Sequence, residues 1–171
     1  MVMFVLFVCS GFAVTANQQK AELADGPELK LQEKIDRALA GGEAHSYRIT
    51  LKTGQYLRVV VEQKGIDVIV TLVSPDGQKL SEVDSPNGNQ GPEPVLWIAQ
   101  AAGEYQLKVK SPEAKAAPGR YEIKVEELRD ATQKDRNRIA AERAIAEAEQ
   151  ILAQQKKASD YARACHCPTV A

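Results

Sequence analysis

The chain predicts an all-β fold: an antiparallel, jelly-roll-like β-sandwich of seven to eight strands, followed by one long C-terminal α-helix. Three observations predict it. A phrase recurs three times, as Gly54-Gln-Tyr56-Leu-Arg-Val59, Gly103-Glu-Tyr105-Gln-Leu107-Lys-Val109 and Gly119-Arg-Tyr121-Glu-Ile123-Lys-Val125. Short alternating segments follow one another at spacings of roughly ten residues, with turn residues between them. From Thr132 to Lys157 there is neither Gly nor Pro, and Ala, Glu, Arg and Gln dominate.

In the second and third copies of the phrase, Tyr, an aliphatic residue and Val fall at i, i+2 and i+4. Those side chains share one face of a strand, while Gln106, Lys108, Glu122 and Lys124 face water. The first copy is out of phase, with Tyr56 on the face opposite Leu57, Val59 and Val61. The run Val68 to Val73 is apolar on both faces and predicts a central strand. Tyr47, Ile49 and Leu51 alternate with polar neighbours. Leu80 to Val83 is a short strand, and Val95 to Ala99 is a buried run that places Trp97, the sole tryptophan, in the core. Leu31, Ile35 and Leu39 are spaced four apart. They fit a short helix, and a strand over Glu33 to Ala38 fits equally.

The amino terminus reads as a signal peptide over residues 1–16. Met1 to Val14 is apolar except for Ser10, and Val14-Thr15-Ala16 supplies small residues for cleavage. A basic start is missing. Export to the periplasm or extracellular space follows, with no stable membrane span after cleavage. Cys9 is an incidental apolar cysteine. Residues 17–30 form a linker with Asp25-Gly26-Pro27 as a breaker. The sandwich covers 31–128 and the helix 130–157. Residues 158–171 are expected to be a disordered tail. There, Cys165-His166-Cys167 lacks the second half of a tetrahedral metal site. The helix has a thin apolar stripe (Ile139, Ile151 and Leu152) and is expected to extend from the sandwich rather than complete its core.

Composition excludes some partners. The 171 residues carry a net charge of −1, with 44% hydrophobic and 5% aromatic residues. No dense Lys/Arg stripe appears in the strands, so nothing argues for nucleic acid. Catalytic grammar is absent too. His45 and Ser46 are neighbours on a strand and point to opposite faces. No Gly-x-Ser-x-Gly, phosphate-binding loop or His-Glu-x-x-His occurs. The chain is expected to be no enzyme. The loop from Asp84 to Glu93 offers Asp84, Asn87, Asn89 and Glu93 as oxygen ligands for calcium. Their spacing misses the EF-hand pattern, and Pro86 and Pro92 stiffen the loop, so turn chemistry competes with metal binding.

His45-x-Tyr47, Gly54, Gly65-x-Asp67, Pro75-x-Gly77, Gly103-x-Tyr105 and Gly119-x-Tyr121 together resemble the bacterial pre-peptidase C-terminal domain, over about residues 31–127. The family is a small β-sandwich found beside secreted enzymes. The resemblance implies that fold, and adds calcium binding as known in some relatives. Glu62 to Val68, the Asp84 loop and Arg129-x-Ala131-Thr132-x-x-Asp135 further resemble the leader of large bacterial proteins. In those proteins the domain precedes tetratricopeptide repeats and a caspase-like CHAT domain. No repeat is completed here, so a truncated relative is expected and protease activity is not carried over. The expected function is an exported, non-catalytic accessory module that binds protein or polysaccharide. The alternatives are a structural leader that aids secretion, or a fragment of a larger protease-like protein.

Overall fold

The computed structural model describes residues 26–165. The expected signal peptide, residues 17–25 of the expected linker and residues 166–171 lie outside the described residues. Eight strands are followed by one helix: β1 (Lys34–Leu39), β2 (Ala44–Leu51), β3 (Gln55–Lys64), β4 (Ile69–Val73), β5 (Lys79–Val83), β6 (Gln90–Ile98), β7 (Gly103–Lys110), β8 (Gly119–Asp130) and α1 (Gln133–Cys165). They form two antiparallel four-stranded sheets, ordered β1-β8-β3-β6 and β2-β7-β4-β5. The fold is the expected all-β sandwich with a C-terminal helix.

The alternating residues of the repeated phrase supply the core. Tyr121, Ile123 and Val125 of β8 and Leu57, Val59 and Val61 of β3 line one inner face. Tyr47, Ile49 and Leu51 of β2, Tyr105, Leu107 and Val109 of β7, and Val70 and Leu72 of β4 line the other. β4 lies between β7 and β5, as its two-sided apolar pattern predicts. Trp97 is 8% exposed and belongs to this core.

Tyr56 is out of phase because it belongs to a second core. It packs with Ile98 and Ile139 on the outer side of the first sheet, under the start of α1. A register shift between Arg58 and Val59 in the β3–β8 pairing adjusts the strand there.

Of Leu31, Ile35 and Leu39, the last two lie on the strand β1, while Leu31 stands before it in an isolated bridge to Val125. Residues 35 and 39 share a strand face as well as a helical one, and pairing of Ile35 with Ile123 on β8 decides between them. Residues 26–30 are not a free linker. Arg48 donates its N–H to Pro27 O at 3.0 Å, Leu29 donates to Arg48 O at 2.8 Å, and Leu29 is 5% exposed. This segment therefore caps the outer edge of β2. A Cβ on Gly26 would stand 1.9 Å from Ser46 O, so only glycine permits that approach.

β6 begins at Gln90, earlier than the buried run suggests. Its pairing with β3 puts Gly91, Glu93, Val95 and Trp97 inward. Ala99 N–H bonds Gln55 O on that side, so the alternate positions Pro92 and Pro94 sit on the free edge. Proline there removes donors that a foreign strand would use. Residues 158–165, expected as tail, are helical, and Ala158, Ala162, Arg163 and Ala164 are strong helix formers.

Candidate functional site

A cleft of about 560 Å³ opens between β1 and β2, where the edges of the two sheets lie over one another. Arg37, His45, Ser46 and Tyr47 give it polar walls, and Gly26, Pro27, Ala38 and Ala44 complete the lining. Strand parity puts Arg37 there: it shares the inward face of β1 with Ile35 and Leu39, and pairs across from Tyr121. At an interior position an arginine would be costly to bury. At the edge of the sandwich its head reaches water, and Arg37 is exposed. Among the described residues, no carboxylate is within salt-bridge distance of Arg37.

Beneath it runs a chain of three polar side chains. His45 Nδ1 lies 2.7 Å from the Tyr121 hydroxyl, which lies 2.5 Å from the Tyr47 hydroxyl. The two tyrosine rings meet edge to face at 87°. Burial, helped by the Tyr47 hydroxyl, pushes the Tyr121 phenol far above its ordinary value. Burial raises Tyr47 as well, against the hydrogen bond to Tyr121 and the charge of Arg37. Both phenols are therefore neutral hydrogen-bonding groups. Glu43 Oε1 stands 3.7 Å from His45 Nε2, and Glu43 Oε2 accepts from Ala40 N–H at 2.8 Å.

The sequence placed His45 near Tyr47 but missed the partnership with Tyr121, which lies 76 residues away. Arg37 was also missed. Its signal was an arginine flanked at i−2 and i+2 by Ile35 and Leu39.

The calcium candidates are divided by the fold. Glu93 is 0% exposed and points into the sandwich. One of its oxygens accepts from Gln63 Nε2 at 2.8 Å, and the other accepts from Ser85 N–H and Ser85 Oγ at 2.9 and 2.8 Å. Gln63 Oε1 in turn accepts from Val68 N–H at 2.7 Å. This carboxylate thus ties the start of the loop to β3 and to the turn before β4. Asp84, Asn87 and Asn89 are exposed. Asn87 Nδ2 donates to Pro92 O at 3.1 Å, closing the loop on itself. Asp67 is held above the usual carboxyl range, first by burial and then by the charges of Asp84 and Glu113. Among the described residues, no three His, Cys, Asp or Glu side chains are placed to share a metal ion.

A second cavity, about 320 Å³, is lined by Pro75, Leu80, Trp97 and Tyr105. The Trp97 and Tyr105 rings are nearly fully buried, so neither offers a free face for stacking. Nearby, α1 is fastened to the sandwich. Arg129 donates to both Asp135 oxygens, at 2.6 and 3.0 Å, and stacks its guanidinium 4.6 Å above the Tyr56 ring. Thr132 caps the helix: its N–H and Oγ1 both donate to Asp135 Oδ2, and Asp135 N–H returns a bond to Thr132 Oγ1. These bonds hold the Asp135 carboxyl far below its ordinary value, the Arg129 pair being the largest cause. Among the described residues, no helix is long and apolar enough to cross a membrane.

No protein-family model matches the chain, and no curated protein matches it. Solved structures do. The chain is similar to the pre-peptidase C-terminal domain of a collagenase from Bacillus anthracis, at 20% identity and a TM-score of 0.48, covering 60% of this chain and 95% of that one. It is similar to PliG, a periplasmic inhibitor of g-type lysozyme from Aeromonas hydrophila, at 15% identity and a TM-score of 0.43, over 59% and 96% of the two chains. The C-terminal CBM6 of LamC, a marine laminarinase from Zobellia galactanivorans, matches at 17% identity and a TM-score of 0.35, over 56% and 100%.

Proposed function

We propose that this chain is an exported, non-catalytic binding module, and that its cleft between β1 and β2 holds a carboxylate-bearing polysaccharide. One observation carries the reading: Arg37 sits on an inward-facing strand position at the mouth of a polar cleft, with no carboxylate within salt-bridge distance among the described residues. A guanidinium recognises a carboxylate through paired N–H donors. His45, half-buried in the cleft wall, adds a group suited to sugar hydroxyls. Neutral phenols and an imidazole already engaged with Tyr121 supply no activated nucleophile, which supports binding over catalysis. An extended peptide is less suited to this cleft, because residues 27–29 already occupy main-chain groups on the β2 edge. Export is supported by the apolar run at residues 1–16.

Affinity electrophoresis and calorimetry with polygalacturonate, with dextran as the neutral control, test the proposal. Binding to polygalacturonate alone is expected, and Arg37→Ala weakens it about tenfold, the loss of one charge-assisted contact. Arg136→Ala, on the exposed side of α1, leaves it unchanged. Equal binding of both polymers, or of neither, overturns the reading.

A further inference from the structure

The hydroxyl and imidazole groups at the floor of the cleft share their hydrogens in one direction. Tyr47 is buried, and burial raises its phenol; the bond to Tyr121, then the charge and a hydrogen bond of Arg37, pull it the other way. An arginine only donates. The Tyr47 O–H therefore has the Tyr121 oxygen, 2.5 Å away, as its acceptor among the described residues. That leaves the Tyr121 O–H to donate to His45 Nδ1 at 2.7 Å, and places the hydrogen of the neutral imidazole on Nε2. The opposite order, running from Nδ1–H through Tyr121 to Tyr47, strands the Tyr47 hydrogen in the interior with no acceptor.

Nε2–H is then a donor without an acceptor. Glu43 Oε1 stands 3.7 Å from Nε2, beyond hydrogen-bond reach, while Glu43 Oε2 is tied to Ala40 N–H at 2.8 Å. Both side chains reach water, at 28% exposure for His45 and 50% for Glu43. A fixed donor and a fixed acceptor thus stand side by side at the cleft, too far apart to satisfy each other. A hydroxyl set between them accepts from Nε2–H and donates to Oε1, using both. A carboxylate in the same place would accept from His45 and meet Glu43 as a like charge.

We propose that His45 and Glu43 form a subsite that reads a free sugar hydroxyl beside the carboxylate held by Arg37, so that the ligand is a polymer of sugar acids with unblocked hydroxyls. The inference rests on the cleft reading above and adds a neutral group to the charged one. Glu43 supplies the selectivity, because it favours a hydroxyl and repels a second anion. Tyr121 is a positioning residue: buried beneath His45, it acts by keeping the imidazole hydrogen on Nε2.

Two polymers and one spectrum test it. Polygalacturonate carries carboxylates and hydroxyls, whereas polyacrylate carries carboxylates alone. In calorimetry the parent chain should bind polygalacturonate about tenfold more tightly than polyacrylate. Glu43→Ala should weaken polygalacturonate roughly fivefold and tighten polyacrylate, since the group that holds a hydroxyl repels a bare anion. His45→Ala should weaken polygalacturonate by about as much. The two-bond proton–nitrogen spectrum of an isotope-labelled chain, recorded above the ordinary imidazole range, should show the His45 hydrogen on Nε2. His45→Gln identifies the signals, because the chain has two histidines. Tyr121→Phe keeps the ring in the core, and should mix the two tautomers and lower the polygalacturonate affinity. A hydrogen on Nδ1 in the parent, or Glu43→Ala moving both affinities in the same direction, overturns the inference. A parent that binds neither polymer overturns the cleft reading and this subsite with it. If polygalacturonate binds and only Arg37→Ala weakens it, the cleft reading stands and the hydroxyl subsite falls.

Discussion

The sandwich and α1 are built on opposite principles, although one chain passes directly from β8 into the helix. In the sandwich the central strands bury alternate residues against strands far away in sequence, so none of them is stable alone. In α1 the backbone hydrogen bonds are local and the propensity is high, and among the described residues its contacts with the sandwich are made by the first turns. The difference teaches where cooperativity ends: it reaches through Thr132, Asp135 and Ile139 to Arg143, and stops before the exposed Ile145.

The sharpest way to break this contrast is a charge in the interior. Val109 is 0% exposed, between the sheets on β7. Val109→Asp should cost more than about 4 kcal/mol and abolish the cooperative melt, because no partner exists there for a carboxylate. Ile123→Asp should do the same. A soluble, cooperatively melting variant of either kind would mean that the sheets do not pack as described. Next comes the buried polar tie. Glu93→Ala leaves Gln63 Nε2 and the Ser85 donors unsatisfied, and should cost about 2–3 kcal/mol in chemical denaturation. A loss as small as that of a surface substitution would show that the loop relaxes around the change.

Removing α1 sharpens the comparison from the other side. Truncation after Ala131 uncovers Tyr56 and Ile98 and should cost about 2–3 kcal/mol, while the sandwich still melts in one transition and the helical dichroism disappears. A truncated chain that no longer folds would place α1 inside the cooperative unit. A subtler probe is Asp135→Asn. The folded Asp135 carboxyl titrates far below its unfolded value of about 3.9, so its stabilisation is present above that pH and fades as pH falls through and below it. The stability gap between parent and variant should thus be full at pH 7 and smaller near pH 3. A gap independent of pH would mean the Arg129 pair contributes nothing through charge. The smallest expected effect is that of calcium. Glu93 is engaged on both oxygens, so millimolar calcium should leave the melting temperature unchanged; a rise that scales with concentration would show a site in the Asp84–Glu93 loop.

The regions differ equally in how far they were legible. Tyr105-x-Leu107-x-Val109 and Tyr121-x-Ile123-x-Val125 announced their strands and their buried face, since strand parity is a local property. Trp97 and the two-sided apolar β4 were legible for the same reason. The candidate cleft was not. Arg37 reads as an ordinary strand charge until β1 is known to lie at the edge of the sandwich above β2, and His45 gains its meaning from Tyr121. Glu93 looked like a loop ligand because its surroundings are rich in Pro, Gly and Asn, and only its register against Val61 turned it inward.

By itself, then, the sequence determined which segments are strands, which faces they bury and where the helix begins, because alternation, turn residues and capping act over a few residues. The tertiary structure decided which edges meet, and so made a cleft from Arg37, His45, Tyr47 and Tyr121. It settled Lys34 to Leu39 as a strand, drew residues 26–30 onto the β2 edge, and gave Tyr56 a second core beneath α1. Those outcomes rest on pairings between residues tens of positions apart, whose free energy exists only once the sheets have closed.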